Sequence, residues 1–475
     1  MLFSTTDFIF YFLPAALLIT AIGRRLGYNA FLLAVSTCSL FLYAWHVPVY
    51  LVLLLASAAA NFILAGFIAD GRRTALYFTG IAGNLALLGY FKYADFFISS
   101  VNTAFGVGVP PLHIVLPLAI SFITFEQIAF LSDVRSGRVP RGSPIEYLAF
   151  ITLFPKLIAG PIIRYTEILP QIREATGHAA ERIFTGLCIF SVGLFNKAVI
   201  ADSLHPIVDP VYAAAGQGPV PAGDAILATL AYATRILFDF SGYSTMAIGL
   251  AWMFGIRLPI NFLSPYKATS IIDFWRCWHI TLSRFLRDYL YIPLGGGRQG
   301  EARRYANLMI VMLLGGLWHG AGWVFVAWGA IHGAALAINH GWRALAPEGL
   351  RKIVSSPVIS WPATMLVVVA AWVFFNAPDF NTAANIFRSL GSDIPTTITG
   401  NQVGIVTGSW AVALLLPNAA QIFRYTFLAG EHDWERLPPL PVPTFAVTTL
   451  SALAFVVSIV FILSGTPNAF IYFQF

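Results

Sequence analysis

Long apolar runs alternate with short polar ones along the chain, and the runs lack the every-second-residue polarity of a strand. Residues 51–60, 313–317 and 455–463 are apolar on every face, which describes helices surrounded by an apolar medium. Runs approaching or reaching the roughly 17–25 residues of a membrane span fall at 8–22, 31–45, 49–68, 75–91, 114–131, 184–201, 225–254, 323–339, 359–375, 406–423 and 445–463. Two more are short or broken: 147–163, interrupted by Pro155 and Gly160-Pro161, and 305–318. The longest polar stretches are 202–224, 376–402 and 429–441, and neither an internal repeat nor a soluble domain is evident. The pattern predicts an all-α polytopic membrane protein with a single integral membrane domain over 1–475. It has N-terminal helices in 1–132, a core with re-entrant and amphipathic segments in 133–345, and C-terminal helices in 346–475.

Composition agrees. Of 475 residues, 58% are hydrophobic and 11% charged, whereas soluble domains carry about 25% charged residues. Lipid admits only helices and closed barrels, because every backbone polar group must be satisfied internally. The net charge of +6 sits in loops, which points to positive-inside topology rather than to nucleic acid. Cys38, Cys188 and Cys277 have no CxxC spacing, so neither a disulfide framework nor a metal site is expected. Residues 1–12 lack a basic leader segment, so the first helix is expected to be retained.

Loop charge predicts orientation. Arg24-Arg25, Arg72-Arg73 and Arg135, Arg138 and Arg141 follow alternate runs, while the loops near 46–48 and 99–111 lack Lys and Arg. The N-terminus is therefore expected outside and the Arg-dense stretch 257–304 inside, with Arg343, Arg351 and Lys352. The segment 305–339 then begins and ends inside. Its first run, about 14 residues or roughly 21 Å, is short for a membrane of ~30 Å. A re-entrant hairpin follows, with Gly320-Ala321-Gly322 at its apex and His319 beside it.

An ionisable residue at membrane depth is costly and functional by default. His319 in GGLWHGAGW suits a general base near neutral pH; the alternative is a core histidine bonded to a carbonyl. A second candidate is 272–293, read as one amphipathic interfacial helix with His279, Ser283 and Arg287 spaced i, i+4, i+8 on one face. Its Arg276, Arg284 and Arg287 suit either donor phosphates or lipid headgroups. A third is Asp239-Phe240-Ser241-Gly242-Tyr243-Ser244-Thr245, where Arg235 and Asp239 at i, i+4 form a structural ion pair or the cluster unwinds to line a cavity. The segment 154–165 carries two prolines and is weakly informative. His332 reads as a packed helix residue, and His46, His113, His178, His205, His340 and His432 as loop or interface residues.

FWRCWHITLSRFLRDYLYIPLGG, LLGGLWHGAGWVFVAWGAIHG, FPKLIAGPIIRY, FDFSGY and FIYFQF together resemble the membrane-bound O-acyltransferase superfamily, end to end. MLFSTTDFIFYFLP and the length are most similar to its bacterial alginate O-acetyltransferase branch. The resemblance implies a ring of about 11–13 transmembrane or re-entrant helices around a central tunnel in the bacterial inner membrane. It puts the invariant family histidine at His319 and the second motif position at His279. Arg276, Ser283, Arg284, Arg287, Asp239, Ser241, Tyr243 and Trp318 become donor-binding or tunnel-lining candidates. Cys277 and Thr245 depart from residues common in relatives, Arg and Asp respectively. The implied activity moves an acyl group, acetyl from acetyl-CoA, to an exported polysaccharide such as alginate, with no bound cofactor or metal and a separate periplasmic acyltransferase as partner. Peptidoglycan O-acetylation and teichoic-acid D-alanyl transfer are the alternatives within the class. A transporter of acyl or glycan intermediates is the alternative outside it, although transporters often carry inverted repeats.

Overall fold

A computed structural model describes residues 2–45, 47–69, 73–157, 160–174, 179–428 and 440–465. His46, Arg72, His178, His432, residues 158–159 and the C-terminal FIYFQF lie outside them. The described residues form helices and no strand. Among the described residues, six helices are long and apolar enough to cross a membrane: Asp7–Leu26, Tyr50–Ile68, Thr74–Phe105, Ala180–Ala215, Pro357–Asn376 and Phe445–Ser464. The protein is thus an all-α, multi-pass membrane protein.

Three apolar or polar runs fold differently from their pattern. The run at 114–131 is helical only from Ile120, because Pro117 and the left-handed Ala119 (φ 59°) precede the helix start. The polar stretch 202–224 is mostly helix, Asp202–Ala215, despite Pro206 and Pro210 within it. The helix Ala222–Met253 runs unbroken for 32 residues through 239–245, so that polar cluster does not unwind.

The chain divides into two compact units. The first comprises residues 1–191, 243–259 and 426–452. Within it Leu13–Leu26 packs on Tyr28–Ala44, where a Cβ on Gly23 would lie 2.9 Å from the Ala30 carbonyl. Lys156 and Glu126 form a buried ion pair there, with the ammonium over the Phe150 ring.

The second unit comprises 192–242, 260–425 and 453–475 and holds the histidine motifs. Its relevant helices are α1 (Asp202–Ala215), α2 (the part of Ala222–Met253 up to 242), α3 (Ile271–Cys277), α4 (Ile280–Leu286), α5 (Glu301–His319), α6 (Trp323–Leu345) and α7 (Pro357–Asn376). Helices α5 and α6 form the expected hairpin, but α5 has 19 residues, roughly 28 Å at 1.5 Å per residue. The charged first turn, Glu301-Ala302-Arg303-Arg304, continues the helix beyond its apolar part, which keeps the length read from the sequence.

Glycine sets how closely the arms approach. A Cβ on Gly316 would sit 2.2 Å from the Phe325 carbonyl oxygen, and one on Gly329 2.2 Å from that of Met312. Backbone cannot move aside as a side chain can. Gly329→Ala is expected to destabilise the hairpin by about 1–3 kcal/mol, the cost of overpacking. At Gly341, where the nearest atom to a Cβ is 4.0 Å away, Ala is expected to be neutral or mildly stabilising, as helix propensity favours it. Thermal unfolding of the two purified variants separates these outcomes; equal melting temperatures would contradict the close-packing argument.

Candidate active site

His319 is the last residue of α5, and the extended Gly320 (φ −155°, ψ 149°) ends the helix there. Gly320 leaves room for the Phe325 ring, which a Cβ would meet at 2.1 Å. The imidazole is buried, and its centroid lies 5.0 Å from Trp318, 5.1 Å from Trp328 and 5.3 Å from Phe375. Phe375 belongs to the last turn of the apolar α7, so the hairpin tip is level with the end of that 20-residue helix.

His279 reaches the same place by a break in its own segment. The stretch 272–293 is not one helix: α3 stops at Cys277, His279 takes a left-handed backbone (φ 42°, ψ 53°), α4 follows, and residues 287–291 form a π-turn. The Ser283 N–H still bonds to the His279 carbonyl at 3.0 Å, but His279 is buried and Arg287 exposed. The physical reason for the break is Asn261, whose carbonyl oxygen on the backbone accepts from the Ile280 N–H at 3.0 Å. Its side-chain Oδ1 accepts from Thr281 N–H at 3.2 Å and Thr281 Oγ1 at 2.9 Å. These contacts cap α4 from outside and hold the strained residue in place, a conformation costing of order 1–3 kcal/mol.

The same Asn261 oxygen defines the tautomer of His279. Nδ1 lies 3.1 Å from it, and an oxygen already accepting from an N–H offers only lone pairs, so Nδ1 carries the proton and donates. A neutral imidazole then has its lone pair on Nε2, and Nε2 is buried without a hydrogen-bond partner among the described residues. The His279 and His319 centroids are 6.1 Å apart. Phe240 meets His279 edge-on at 4.7 Å and Trp318 lies 6.0 Å from it. Two buried imidazoles thus share an aromatic enclosure, with a base-ready nitrogen on His279. As the neutral tautomer His279 accepts rather than donates, so it does not polarise an oxyanion as a hydrogen-bond donor.

The remaining candidates separate. Trp318 lies at the pair of histidines and is buried. The Ser283 hydroxyl is buried and lacks a hydrogen-bond partner among the described residues. Arg284 is buried, 3.8 Å from Asp288, and is not displayed to solution. Arg276 is exposed, 3.6 Å from Asp273, and Arg287 is exposed, 2.7 Å from Asp288. Arg235 and Asp239 do not pair with each other. Arg235 binds Asp209 at 2.5 Å, and Asp239 binds Lys197 at 2.7 Å. Lys197 also holds Asp202 at 2.7 Å and is itself buried, so Asp239 serves a buried three-charge cluster one residue from Phe240. His205, expected in a loop or at an interface, lies on α1 and pairs with Asp209 at 3.1 Å. Ser241 is half-buried on α2. Tyr243 belongs to the first unit, stacked on Phe3 at 4.7 Å.

His332 is the packed helix residue expected from the sequence, and its packing fixes its tautomer. It is fully buried on α6 with its ring 4.8 Å from Trp328. Trp275 Nε1, which can only donate, points to His332 Nδ1 at 3.3 Å. Nε2 of His332 therefore carries the proton, and it too finds no hydrogen-bond partner among the described residues. Trp328 thus lies between His319 and His332. The i+4 spacing of Trp328 and His332 on one helix face is the sequence signal that marks this pair.

Comparison with known proteins identifies the family. Residues 138–376, which include His279, His319 and His332, match the profile of the MBOAT, membrane-bound O-acyltransferase family. A peptidoglycan O-acetyltransferase of Helicobacter pylori is 35% identical, with 100% of this chain and 98% of that protein covered. A protein of Azotobacter vinelandii named Probable alginate O-acetylase is 40% identical, with 88% of this chain and 83% of that protein covered. A teichoic acid D-alanyltransferase of Bacillus subtilis is 27% identical, with 47% of this chain and 58% of that protein covered. The chain belongs to the membrane-bound O-acyltransferase family and is a multi-pass membrane O-acyltransferase.

Proposed function

We propose that the protein transfers an acetyl group from a cytoplasmic thioester donor, acetyl-CoA, across the bacterial inner membrane for O-acetylation of an exported polysaccharide. The observation that carries this is the buried pair His319 and His279, 6.1 Å apart in an aromatic enclosure. A hydroxyl is a poor nucleophile at neutral pH, and acyl transfer needs a base beside it. His319 removes the hydroxyl proton as the oxygen attacks the thioester carbon. The C–O bond forms, the C–S bond breaks, and the proton passes from His319 to the departing thiolate. The lone pair of His279 Nε2 accepts from a water that in turn donates to the acceptor hydroxyl oxygen and holds it in register, which leaves the hydroxyl proton to His319. Few charges and many rings keep the enclosure dry, which strengthens each such contact.

Acetyl rather than D-alanyl is supported by the relatives whose similarity runs nearly the length of the chain, since the D-alanyltransferase matches over less than half of it. Alginate is the acceptor we favour, and peptidoglycan is the second reading because the Helicobacter pylori relative matches throughout. The acceptor hydroxyl is supplied by a periplasmic acyltransferase partner, which passes the acetyl group on to the polymer; the N-terminus lies outside and the arginine-rich ends of α3, α5 and α6 inside. Deleting the gene and restoring it tests the acceptor. Acetyl esters are measured on secreted polysaccharide and on purified peptidoglycan. Loss from the secreted polymer alone is expected. Loss from peptidoglycan alone selects the second reading, and loss from neither overturns both.

A further inference from the structure

The first helical hairpin holds a groove whose lining includes neither histidine motif. It lies between Asp7–Leu26 and Tyr28–Ala44, entirely within the first unit. Its volume of about 570 Å³ falls inside the roughly 300–1,000 Å³ of small-molecule sites. On one arm Asp7, Tyr11, Ala15 and Ile19 line it at every fourth residue, and Thr37, Phe41 and Trp45 do so on the other. Phe12 stacks on Phe41 at 6.3 Å and Phe41 lies 5.8 Å from Trp45. The arms are antiparallel, so Asp7 and Trp45 share one end of the hairpin while Arg24 and Arg25 sit at the other.

Local structure shapes the groove. Residues 7–12 are π-helical, with the Leu13 N–H bonded to the Phe8 carbonyl. That wider winding, common at functional sites, keeps Asp7 and Tyr11 in line. The side chain of Ala15 ends at Cβ and leaves a hollow between Tyr11 and Ile19. Tyr11, Ile19 and Phe41 are exposed, so the groove opens sideways toward lipid. From Asp7 to Ile19 it runs roughly 18 Å at 1.5 Å per residue, a little over half of a ~30 Å hydrocarbon core. It therefore follows one leaflet from its polar edge to the midplane, the course of a phospholipid acyl chain.

Charge selects the headgroup. Asp7 is exposed and makes no hydrogen bond or ion pair among the described residues. Lysine and arginine are absent from 1–23 and from 26–71, so the hairpin has no basic residue near that end. A carboxylate placed so repels an anionic headgroup and attracts an ammonium. The Trp45 and Tyr11 rings present a face to a cation, and their N–H and O–H are donors for a phosphate oxygen. Both residue types favour the membrane–water interface.

We infer that this groove binds one acyl chain of a phospholipid whose headgroup carries an ammonium. Asp7 holds the ammonium, and Trp45 and Tyr11 hold the phosphate. The lipid fills the hollow between the arms and ties their ends together at one membrane surface. Binding is independent of any acyl transfer.

The test places the full chain in nanodiscs with equal amounts of phosphatidylethanolamine and phosphatidylglycerol of identical acyl chains. Lipid that stays with the released protein is identified by native mass spectrometry. Wild type is expected to retain one phosphatidylethanolamine in preference to phosphatidylglycerol. Asp7→Asn should lower that preference about tenfold, the effect of a lost charge-assisted contact, and Asp7→Glu should keep it. Ala15→Phe fills the hollow and should abolish the retention, whereas Val52→Phe, at an exposed position outside the groove, should retain lipid as wild type does. Added phosphatidylethanolamine should raise the melting temperature of wild type and not of Asp7→Asn. Asp7 is exposed, so Asp7→Asn decides the matter even where Ala15→Phe fails to fold. Equal retention of the two lipids by wild type overturns the site, as the behaviour of ordinary surrounding lipid. An undiminished preference in Asp7→Asn, or a second polypeptide retained in place of lipid, overturns it as well.

Discussion

Replacing His319 by Gln is expected to lower kcat by about 10²–10⁴-fold, the usual contribution of a general base, while the KM for the donor changes little. Gln keeps much of the volume between Trp318, Trp328 and Phe375 but cannot take a proton. The loss is therefore chemical, and protein recovered from membranes should match wild type. His319→Ala removes the ring as well and adds a packing defect, so it should reduce both activity and yield. His279→Gln should cost less than His319→Gln if His279 only orients the hydroxyl. An equal loss would mean that its Nε2, the nitrogen that Asn261 leaves unprotonated, takes the proton itself. Acetyl-transfer rates at saturating donor, normalised to immunodetected protein, distinguish these cases. Wild-type rates in His319→Gln would exclude it as the base.

The second large effect is on stability. Lys197 is buried between Asp202 and Asp239, 2.7 Å from each. The three charges are tolerable together because each carboxylate has the ammonium as partner. Lys197→Met leaves two buried carboxylates facing one another, and breaking a buried pair typically costs about 3–5 kcal/mol. A marginally stable protein loses most of its folded population at that cost, so steady-state protein in the membrane should fall severalfold or more. The triple variant Lys197→Met, Asp202→Asn, Asp239→Asn removes the charges together and should recover much of the level. Restored protein without restored activity would show that the cluster also serves the site through Phe240. No recovery would contradict the electrostatic account.

What the sequence shows and hides follows from how far apart partners lie. The hairpin and His319 are legible because local chemistry builds them: apolar arms, a Gly-Ala-Gly reversal, and a costly residue beside it. The break at His279 is hidden because the group that stabilises it, Asn261, lies 18 residues away in sequence, and the local pattern of 272–293 fits a helix well. Asp239 was matched with Arg235 by i, i+4 spacing, yet both side chains find charges on neighbouring segments instead: Lys197 and Asp209. Helix-surface spacing says which residues can meet, and burial against other elements decides which do. His332 shows the same limit: the sequence reads it as a packed helix residue, and only tertiary packing brings Trp275 of another helix to donate to it. The helix at Asp202–Ala215 is hidden by its prolines and polar residues, which its ion pairs and packing override.

The most direct test uses the purified full chain in proteoliposomes, with radiolabelled acetyl-CoA on one side and the acetyl acceptor, polymer or periplasmic partner, on the other. Single-turnover transfer is followed for wild type and His319→Gln, with labelled donor crossing the bilayer measured in parallel. The account predicts stoichiometric ester formation by wild type, at least about 10²-fold slower formation in the variant, and no passage of intact donor. Ester formation at the wild-type rate in His319→Gln, or passage of intact donor without ester, would contradict it.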